Sequence, residues 1–205
     1  MIDNETLDTM LWKKVSRIKQ ELNFTQIKAI ADLFAHIVDY KSPFTSNHSI
    51  GVAEGAEKIS RFMGFDEDIC QKMYLAGSLH DIGKVAIGNE ILEKPEKLTD
   101  EEFKTMKHHA VYTYYILSGI DDFEEIRDWA ALHHEKLNGK GYPFGKTADE
   151  LNEQERIMAC IDIYQALTEN RPYKKGLSHE KACDILDDMA QKGFVDSDIS
   201  NKIRE

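Results

Sequence analysis

Apolar residues recur at helical spacing along almost the whole chain, and this pattern constrains the fold more than any other feature. One stripe comprises Val52, Ala56, Ile59 and Met63, and its steps of three and four residues match one face of an α-helix. Four prolines and 12 glycines in 205 residues leave few helix breakers. The sequence predicts an all-α fold with helices near residues 5–22, 24–40, 47–63, 67–81, 99–118, 122–135, 152–169, 178–192 and 196–204.

The length and composition indicate one substantial hydrophobic core, since 41% of the 205 residues are hydrophobic. Residues 1–40 are predicted to be N-terminal helices that precede or join this core, and residues 41–205 the main domain. No apolar run approaches the roughly 20 residues of a membrane span, and the acidic N-terminus lacks the order of a signal peptide. We therefore expect a cytoplasmic protein without membrane contact.

The charge and the cysteines exclude further classes. A net charge of -11 is wrong for broad contact with duplex nucleic acid, which requires basic patches. The three cysteines are an odd number at wide spacings, which argues against both a disulfide framework and a thiolate zinc site. Because the net charge is negative, any anionic substrate must be attracted by positive charge close to its binding site.

Two pairs of ligand-type residues stand at predicted helix ends. His80 and Asp81 end one helix, and His133 and His134 end another, directly before a loop (136–150) with three glycines and a proline. Two such ends predict a shared site. Asp162 interrupts an apolar run, where an unpaired carboxylate costs several kcal/mol unless a cation neutralises it. Taken singly, however, each of these residues is more often an ordinary core or surface residue.

Taken together and in order, five segments resemble the HD-GYP group of the HD phosphohydrolase superfamily, a group of bacterial signalling enzymes. The segments are PFTSNHS (43–49), LHDIGK (79–84), EKPEKLTDEEFKTMKHH (93–109), HHEKLNGKGYP (133–143) and IDIYQALTENRPYK (161–174). The resemblance covers residues 42–174. It implies a multi-helix HD-type bundle with a glycine-rich GYP loop over a buried metal site, so residues 41–205 would be the catalytic domain.

The resemblance also implies a ligand set for two metals. One metal would be held by His48, His80, Asp81 and Asp162. Asp81 would bridge to a second metal held by His109, His133 and His134. His36, His108 and His179 match no ligand position of the family, and we expect ordinary structural roles for them.

The chemistry of this set agrees with the resemblance. Five imidazoles and two carboxylates are too nitrogen-rich for Mg or Ca and suit Fe, Mn or Zn, with Fe or Mn favoured by the resemblance. Some family members hold a third metal with a Glu four residues before the first histidine. That position is Phe44 here, so we expect two divalent metals. A pair of metals can activate a hydroxide for in-line displacement at phosphorus.

The substrate implied by the resemblance is cyclic di-GMP, opened to pGpG and in some members to GMP. Asp81 and Lys84 would be catalytic, and Lys84 would also contact phosphate. Arg171 and Lys174 could grip phosphate or a guanine edge. Three residues of the loop complete the predicted substrate contacts: Tyr142, Gly139 and Gly141. Packing of Tyr142 against a base and packing within the loop's own core are equally compatible with the sequence.

Two departures from the family pattern keep alternatives open. Asn138 and Gln165 each stand where the family usually has Asp, and loss of a residue that supports a metal ligand commonly costs about 10–100-fold in metal affinity or activity. The chain could therefore be a metal-bound but slow sensor or protein-interaction module, or a hydrolase of another cyclic dinucleotide or nucleotide. Pairing with a second copy and fusion to a sensory domain also stay open.

Overall fold

The computed structural model describes residues 21–41, 47–170 and 175–205, and this part of the chain is helical with no strand. The all-α prediction is confirmed. The helices are α1 (Phe24–Lys41), α2 (His48–Phe62), α3 (Glu67–Leu79), α4 (Asn89–Leu92), α5 (Asp100–Leu117), α6 (Glu124–Ala131), α7 (Glu153–Thr168), α8 (His179–Gln191) and α9 (Ser197–Arg204). Two 3₁₀ turns, Ile82–Ala86 and Ala148–Glu150, lie between predicted helices, and the second of them lies in the predicted 136–150 loop. Most of the helix predicted near 5–22 lies outside the described residues.

Capping residues explain where several helices begin. Thr99 and Glu102 bond to each other's backbone N–H groups at the start of α5, and Asn152 and Glu155 do the same for α7. Ser178 accepts a hydrogen bond from a backbone N–H in the first turn of α8. These side chains satisfy N–H groups that the first turn of a helix leaves without partners.

Two helices are shorter than predicted. Helix α3 ends at Leu79, because the chain turns into a 3₁₀ turn directly after His80 and Asp81. Helix α6 begins only at Glu124, since Asp122 has a φ of 64°, which no right-handed helix accommodates. It ends at Ala131, which leaves His133 and His134 in a turn rather than on the helix.

Helix α3 is the centre of the core. It packs against α1, α2, α6 and α7, and all of its residues from Met73 to Leu79 are buried. Cys70, Cys160 and Cys183 are buried free thiols, as expected of packed cysteines. None of the described helices has the length and apolarity that crossing a bilayer requires. Because α3 lies at the centre of the core, its C-terminal end places His80 and Asp81 in the middle of the molecule.

Candidate metal centre

The end of α3 places His80 and Asp81 at the bottom of the site. The ring nitrogen Nδ1 of His80 lies 2.7 Å from the carbonyl oxygen of Gly77, one turn earlier in its own helix. Both side chains are buried. Lys84 follows in the 3₁₀ turn, and its Nζ lies 2.5 Å from Asp81 Oδ2. Local geometry therefore turns the remaining nitrogen of His80, Nε2, and the Asp81 carboxylate toward the interior.

Helix α5 is held against this turn by close backbone contact. Gly83 packs so tightly that a Cβ there would lie 1.9 Å from the carbonyl oxygen of His109. Thr113 links the two elements, because its Oγ1 accepts a hydrogen bond from Gly83 N (3.0 Å) and donates one to His80 O (2.9 Å). A glycine after the HD pair is thus required for His109 to reach the site.

The turn after α6 supplies two more imidazoles. His133 Nδ1 lies 2.6 Å from the carbonyl oxygen of Ala130, and the rings of His133 and His134 lie 4.0 Å apart between centroids. His133 is fully buried, whereas the side chain of His134 is 30% exposed. His134 therefore faces the opening of the site.

His48 and Asp162 close the site from α2 and α7. His48 is the first residue of α2, and Asp162 lies in the middle of α7, with its carboxylate buried beside the ring. His48 Nε2 lies 3.0 Å from Asp162 Oδ1. The other oxygen of this carboxylate, Oδ2, lies 3.8 Å from His134 Nδ1.

The seven predicted ligands thus lie together in one buried cluster. Their ligand atoms form three groups whose members lie within 4.8 Å of one another: His109 with His133 and His134, His48 with His80 and Asp162, and His80 with Asp81 and His133. Asp81 stands between the first two groups, since its Oδ2 lies 3.2 Å from His80 Nε2 and its Oδ1 3.4 Å from His109 Nε2. The carboxylate thus presents one oxygen to an imidazole of each of these two groups.

Burial and neighbouring charges divide the histidines into two classes. Burial lowers the pKa of His109, His133 and His134, that of His134 to about 3, so these rings are neutral at pH 7. Burial opposes protonation of His48 as well, but the contacts with Asp162 and Glu169 outweigh it and raise the pKa of His48 to about 10. Burial likewise opposes protonation of His80, but the neighbouring Asp81 carboxylate outweighs it and raises the pKa of His80. Three imidazoles are therefore ready to bind a metal, whereas a metal has to displace a proton from His48 and His80.

The carboxylates stay ionised despite their burial. Burial favours the neutral form of Asp81, but the charge of Lys84, followed by that of His80, holds its pKa well below the usual value. The pKa of Asp162 is also lowered against the effect of burial, chiefly by the hydrogen bond with His48. Two buried negative charges beside the neutral imidazoles of His109, His133 and His134 attract cations.

Buried nitrogens without partners show that a metal fits this cluster. Nε2 of His80, His109 and His133 has no hydrogen-bond partner within the described ranges, although each of these rings is anchored through Nδ1. Buried polar atoms are nearly always satisfied. In a neutral ring whose Nδ1 carries the proton, Nε2 presents a lone pair, which is the donor a transition metal requires. The His/Asp cluster is consistent with the binding of divalent metal.

The glycine-rich loop folds over one side of the cluster through Glu135. This buried carboxylate accepts hydrogen bonds from three successive backbone N–H groups, those of Phe144 (2.6 Å), Gly145 (3.0 Å) and Lys146 (3.1 Å). Gly141 allows the loop to return, because a Cβ there would lie 2.4 Å from the backbone nitrogen of Lys136. These contacts hold the loop in place beside the cluster.

Tyr142 is the loop residue that reaches the cluster. Its ring lies 4.6 Å from that of His134 between centroids, and burial raises the pKa of its hydroxyl. Gly139 and Gly141, by contrast, contact the loop's own backbone and side chains and do not line the cavity. The substrate contacts proposed for these three residues stay predictions.

A cavity of about 370 Å³ opens from the cluster and lies within the size range of small-molecule sites. Its lining includes Lys84, Lys94 and Tyr142 beside the ligand-type residues. Lys94 also forms an ion pair with Glu102 at 2.6 Å. Arg171 and Lys174, which were predicted to contact substrate, and Phe44, on which the metal count rests, lie outside the described residues.

The three histidines without a predicted ligand role lie away from the cluster. His36 is exposed and bonds to the carbonyl of Asp32 (2.6 Å), and exposed His179 bonds to the hydroxyl of Tyr164 (2.8 Å). His108 is exposed on the far side of α5 from its buried neighbour His109.

The two departures from the family pattern also lie outside the cluster. Asn138 accepts a hydrogen bond from Lys140 N within the loop (3.1 Å) and forms an isolated bridge with Thr147. Gln165 lies against Gly51 and lines a separate groove between α2 and α7. The effect of these positions on turnover stays a prediction.

Three polar residues of the site were not predicted from the sequence. They are Glu135, Lys94, and Glu169, whose Oε2 lies 3.4 Å from His48 Nδ1. Glu135 directly follows the histidine pair and Lys94 lies in a segment of the resemblance, but neither position indicates its contacts. Glu169 lies in the last segment of the resemblance, seven residues after Asp162, and this two-turn spacing could have drawn attention to it.

Known proteins share sequence with this chain over most of its length. Residues 32–199 match the family model described as HD domain. The chain is 36% identical over 185 residues to 3'3'-cGAMP-specific phosphodiesterase 1 of Vibrio cholerae, which covers 90% of this chain and 43% of the relative. It is 34% identical over 161 residues to the cyclic di-GMP phosphodiesterase response regulator RpfG of Xanthomonas campestris, covering 78% of this chain and 42% of the relative. The chain thus spans less than half the length of these relatives.

Solved structures show the same fold at low sequence identity. An HDG"Y"P protein from Bdellovibrio bacteriovorus superposes with a TM-score of 0.63 at 15% identity, over 89% of this chain and 63% of that one. The HD domain of the phosphodiesterase PgpH from L. monocytogenes superposes with a TM-score of 0.60 at 17% identity, over 83% of this chain and 93% of that one. These likenesses concern the fold alone.

Proposed function

This chain belongs to the HD domain family, within its HD-GYP group, and from that premise we propose that it is a metal-dependent phosphodiesterase that opens a cyclic dinucleotide. One observation carries the proposal above all others. Asp81 stands between two groups of buried ligand atoms, beside a cavity that Lys84 also lines. That arrangement suits a pair of divalent cations facing a phosphate.

The residues that would hold the metals follow from the three groups. His48, His80 and Asp162 would hold one metal, and His109, His133 and His134 the other, with Asp81 shared between them. The nitrogen-rich set favours Fe or Mn, with Zn as the alternative. Two divalent cations supply positive charge that activates water and polarises the phosphate, as in other two-metal hydrolases.

The chain's own residues would bind and orient the substrate. Nζ of Lys84 lies 2.5 Å from Asp81 Oδ2, at the boundary between the cluster and the cavity. From there the ammonium group could rotate to contact a non-bridging phosphate oxygen. Tyr142 presents its ring along the cavity wall, where a base can stack against it. Glu135 would keep the loop, and with it Tyr142, in place along one side of the cluster. Arg171 and Lys174 remain candidates for a second phosphate or a guanine edge.

Cyclic di-GMP, opened to pGpG, is the first candidate substrate. The names of the relatives favour a second candidate, because two of those from Vibrio cholerae, at 36% and 38% identity, are 3'3'-cGAMP-specific phosphodiesterases. Both molecules carry a guanine and the same type of phosphodiester bond. The pocket residues in the described ranges do not separate them.

The decisive experiment measures metal content and product formation under anaerobic conditions with added Fe or Mn. Cyclic di-GMP, 3'3'-cGAMP and cyclic di-AMP are supplied in parallel. We expect metal-dependent formation of linear dinucleotide from at least one guanine-containing substrate, and its loss in His80→Ala and Asp81→Ala. His36→Ala, which changes an exposed histidine outside the cluster, serves as the control. Bound metal without turnover of any of the three substrates would overturn the enzyme proposal in favour of a sensor.

A further inference from the structure

In three of the buried histidines the Nδ1 atom contacts a backbone carbonyl oxygen, and His48 is the exception. Nδ1 of His80, His109 and His133 contacts the carbonyl oxygen three residues earlier, that of Gly77 (2.7 Å), Met106 (2.6 Å) and Ala130 (2.6 Å) respectively. His48 is the first residue of α2, so its helix has no preceding turn that could provide such a carbonyl. No carbonyl of its own helix can therefore orient this ring as it does in the other three.

Among the described residues, Glu169 is the group that approaches Nδ1 of His48. Its Oε2 lies 3.4 Å from His48 Nδ1, while Asp162 Oδ1 lies 3.0 Å from Nε2 on the opposite side of the same ring. Both carboxylates come from one element, because Asp162 lies on α7 and Glu169 is its C-terminal cap, two helical turns later. The imidazole of His48 thus lies between two carboxylates that come from a single helix and its cap.

The backbone around Glu169 is held in place on both sides. Its own N–H donates to the carbonyl of Gln165 (2.9 Å). The returning chain is tied to the same helix end, because Leu177 N donates to Leu167 O (2.9 Å) and Gly176 N to Asn170 Oδ1 (3.0 Å). The Glu169 side chain is only 9% exposed, and burial of a carboxylate is costly without partners. Its place beside His48 is therefore determined by the fold.

We propose that Glu169 is a positioning residue that holds His48 in the tautomer and orientation required of a metal ligand. A carboxylate that accepts the Nδ1 proton leaves the Nε2 lone pair for the metal and makes the ring a stronger donor than a carbonyl does. The effect is confined to the site of His48, His80 and Asp162, because the rings of His109 and His133 depend on carbonyls of their own helices. This inference rests on the proposed metal site but not on the identity of the substrate.

The test is a metal titration that requires no turnover. Stepwise dissociation constants for Mn(II) are measured by competition with a chelator, for the wild type and for Glu169→Ala, Glu169→Gln and Glu169→Asp. We expect Glu169→Ala to lower the affinity for one of the two metals by about 10–100-fold, which is the usual effect of losing a partner of a ligating histidine. The affinity for the other metal should stay within about threefold of the wild-type value. Glu169→Gln should recover part of the loss, because its amide oxygen still accepts the Nδ1 proton.

Asn170→Ala is the matched control, since it loosens the same helix end through the bond to Gly176 without touching His48. A second readout is the NMR chemical shift of the Nδ1 proton of His48 in the Zn(II)-loaded protein. Glu169→Ala should remove the part of this shift that comes from the hydrogen bond, and Asn170→Ala should not. Wild-type affinity for both metals in Glu169→Ala, or an equal loss in Asn170→Ala, would overturn the inference. A wild type that binds metals but hydrolyses no cyclic dinucleotide would overturn the proposed function and leave this one standing.

Discussion

The Asp81 carboxylate faces the Nε2 atom of His109 at 3.4 Å, across the boundary between the end of α3 and α5. The other Asp81 oxygen lies 3.2 Å from His80, so a single side chain connects the two groups of metal-ligating atoms. Since both imidazole nitrogens lack hydrogen-bond partners among the described residues, cations between them and the carboxylate would satisfy all of these atoms at once.

The first prediction concerns this connection. Asp81→Asn keeps the shape of the side chain but removes its charge and one acceptor oxygen, so we expect the loss of at least one bound metal per chain. Hydrolysis should fall by more than the ~10–100-fold that follows loss of an outer partner. Metal analysis and product assays check both. Asp66→Asn at the other end of α3, where either residue can cap the helix, should retain full metal content; full metal content in Asp81→Asn would contradict the prediction.

The second prediction concerns the contact between Gly83 and α5. A Cβ at Gly83 would lie 1.9 Å from His109 O and 2.6 Å from Thr113 N, and both are backbone atoms that cannot rotate away. We expect Gly83→Ala to lower the free energy of unfolding of the metal-free protein by about 1–3 kcal/mol, as overpacking does. It should also weaken metal binding through the displaced His109.

Urea unfolding and metal titration measure these two effects. Gly119→Ala is the control, because its nearest neighbour would be Ile116 O at an ordinary 3.5 Å, and it should change stability by no more than about 0.5 kcal/mol. Equal stabilities of the two variants would show that α5 yields without strain.

The third prediction concerns the anchor of the loop. Glu135→Gln removes the charge of the carboxylate whose oxygens accept hydrogen bonds from three backbone N–H groups. A hydrogen bond to a charged group contributes about 1.5–3 kcal/mol to stability. We expect stability to fall by about 2–3 kcal/mol, with faster hydrogen exchange at Phe144, Gly145 and Lys146. The exposed Glu150, which bonds to Thr147 in the same loop, provides the control Glu150→Gln with a smaller effect. Unchanged amide protection in Glu135→Gln would rule out the anchoring role.

The fourth prediction concerns pH. Because the pKa of His48 in the metal-free protein is raised to about 10, the ring carries a proton at pH 7 that a metal must displace. Metal affinity should therefore rise with pH, by about tenfold per unit for each proton released, between pH 6.5 and 8.5. His80, whose pKa the Asp81 carboxylate raises, adds to this slope. His109, His133 and His134 add nothing to it, since their lowered pKa values leave them neutral throughout.

The same shift has the opposite sign for the metal-free fold. A raised pKa stabilises the folded state fully below the unfolded value of about 6.5, and this contribution is lost as the pH rises through about 10. Chelator competition and urea unfolding across this range check the two trends. A metal affinity that stays constant from pH 6.5 to 8.5 would contradict the assignment of the proton to His48.

The sequence by itself determined the helical architecture and the set of residues that meet. Helix periodicity and caps such as Thr99 with Glu102 act within a few residues, so they can be read directly from the chain. The histidine and aspartate pairs were recognisable because each pair is adjacent in the chain and the segments follow a family order. The helix ends at Leu79 and Ala131 were less predictable, because the side chains and turns that follow them decide where the helix stops.

Only the tertiary structure decided how those residues face one another. His48 and Asp162 are 114 positions apart, and no local pattern indicates that Glu169 approaches the same ring from the other side. Likewise, Glu135 could be recognised as an anchor only once the loop had folded back on it, and Gln165 could be placed beside Gly51 only once α2 and α7 had packed. Such contacts depend on how whole helices pack, since a buried polar side chain takes whichever partner the packing brings within reach.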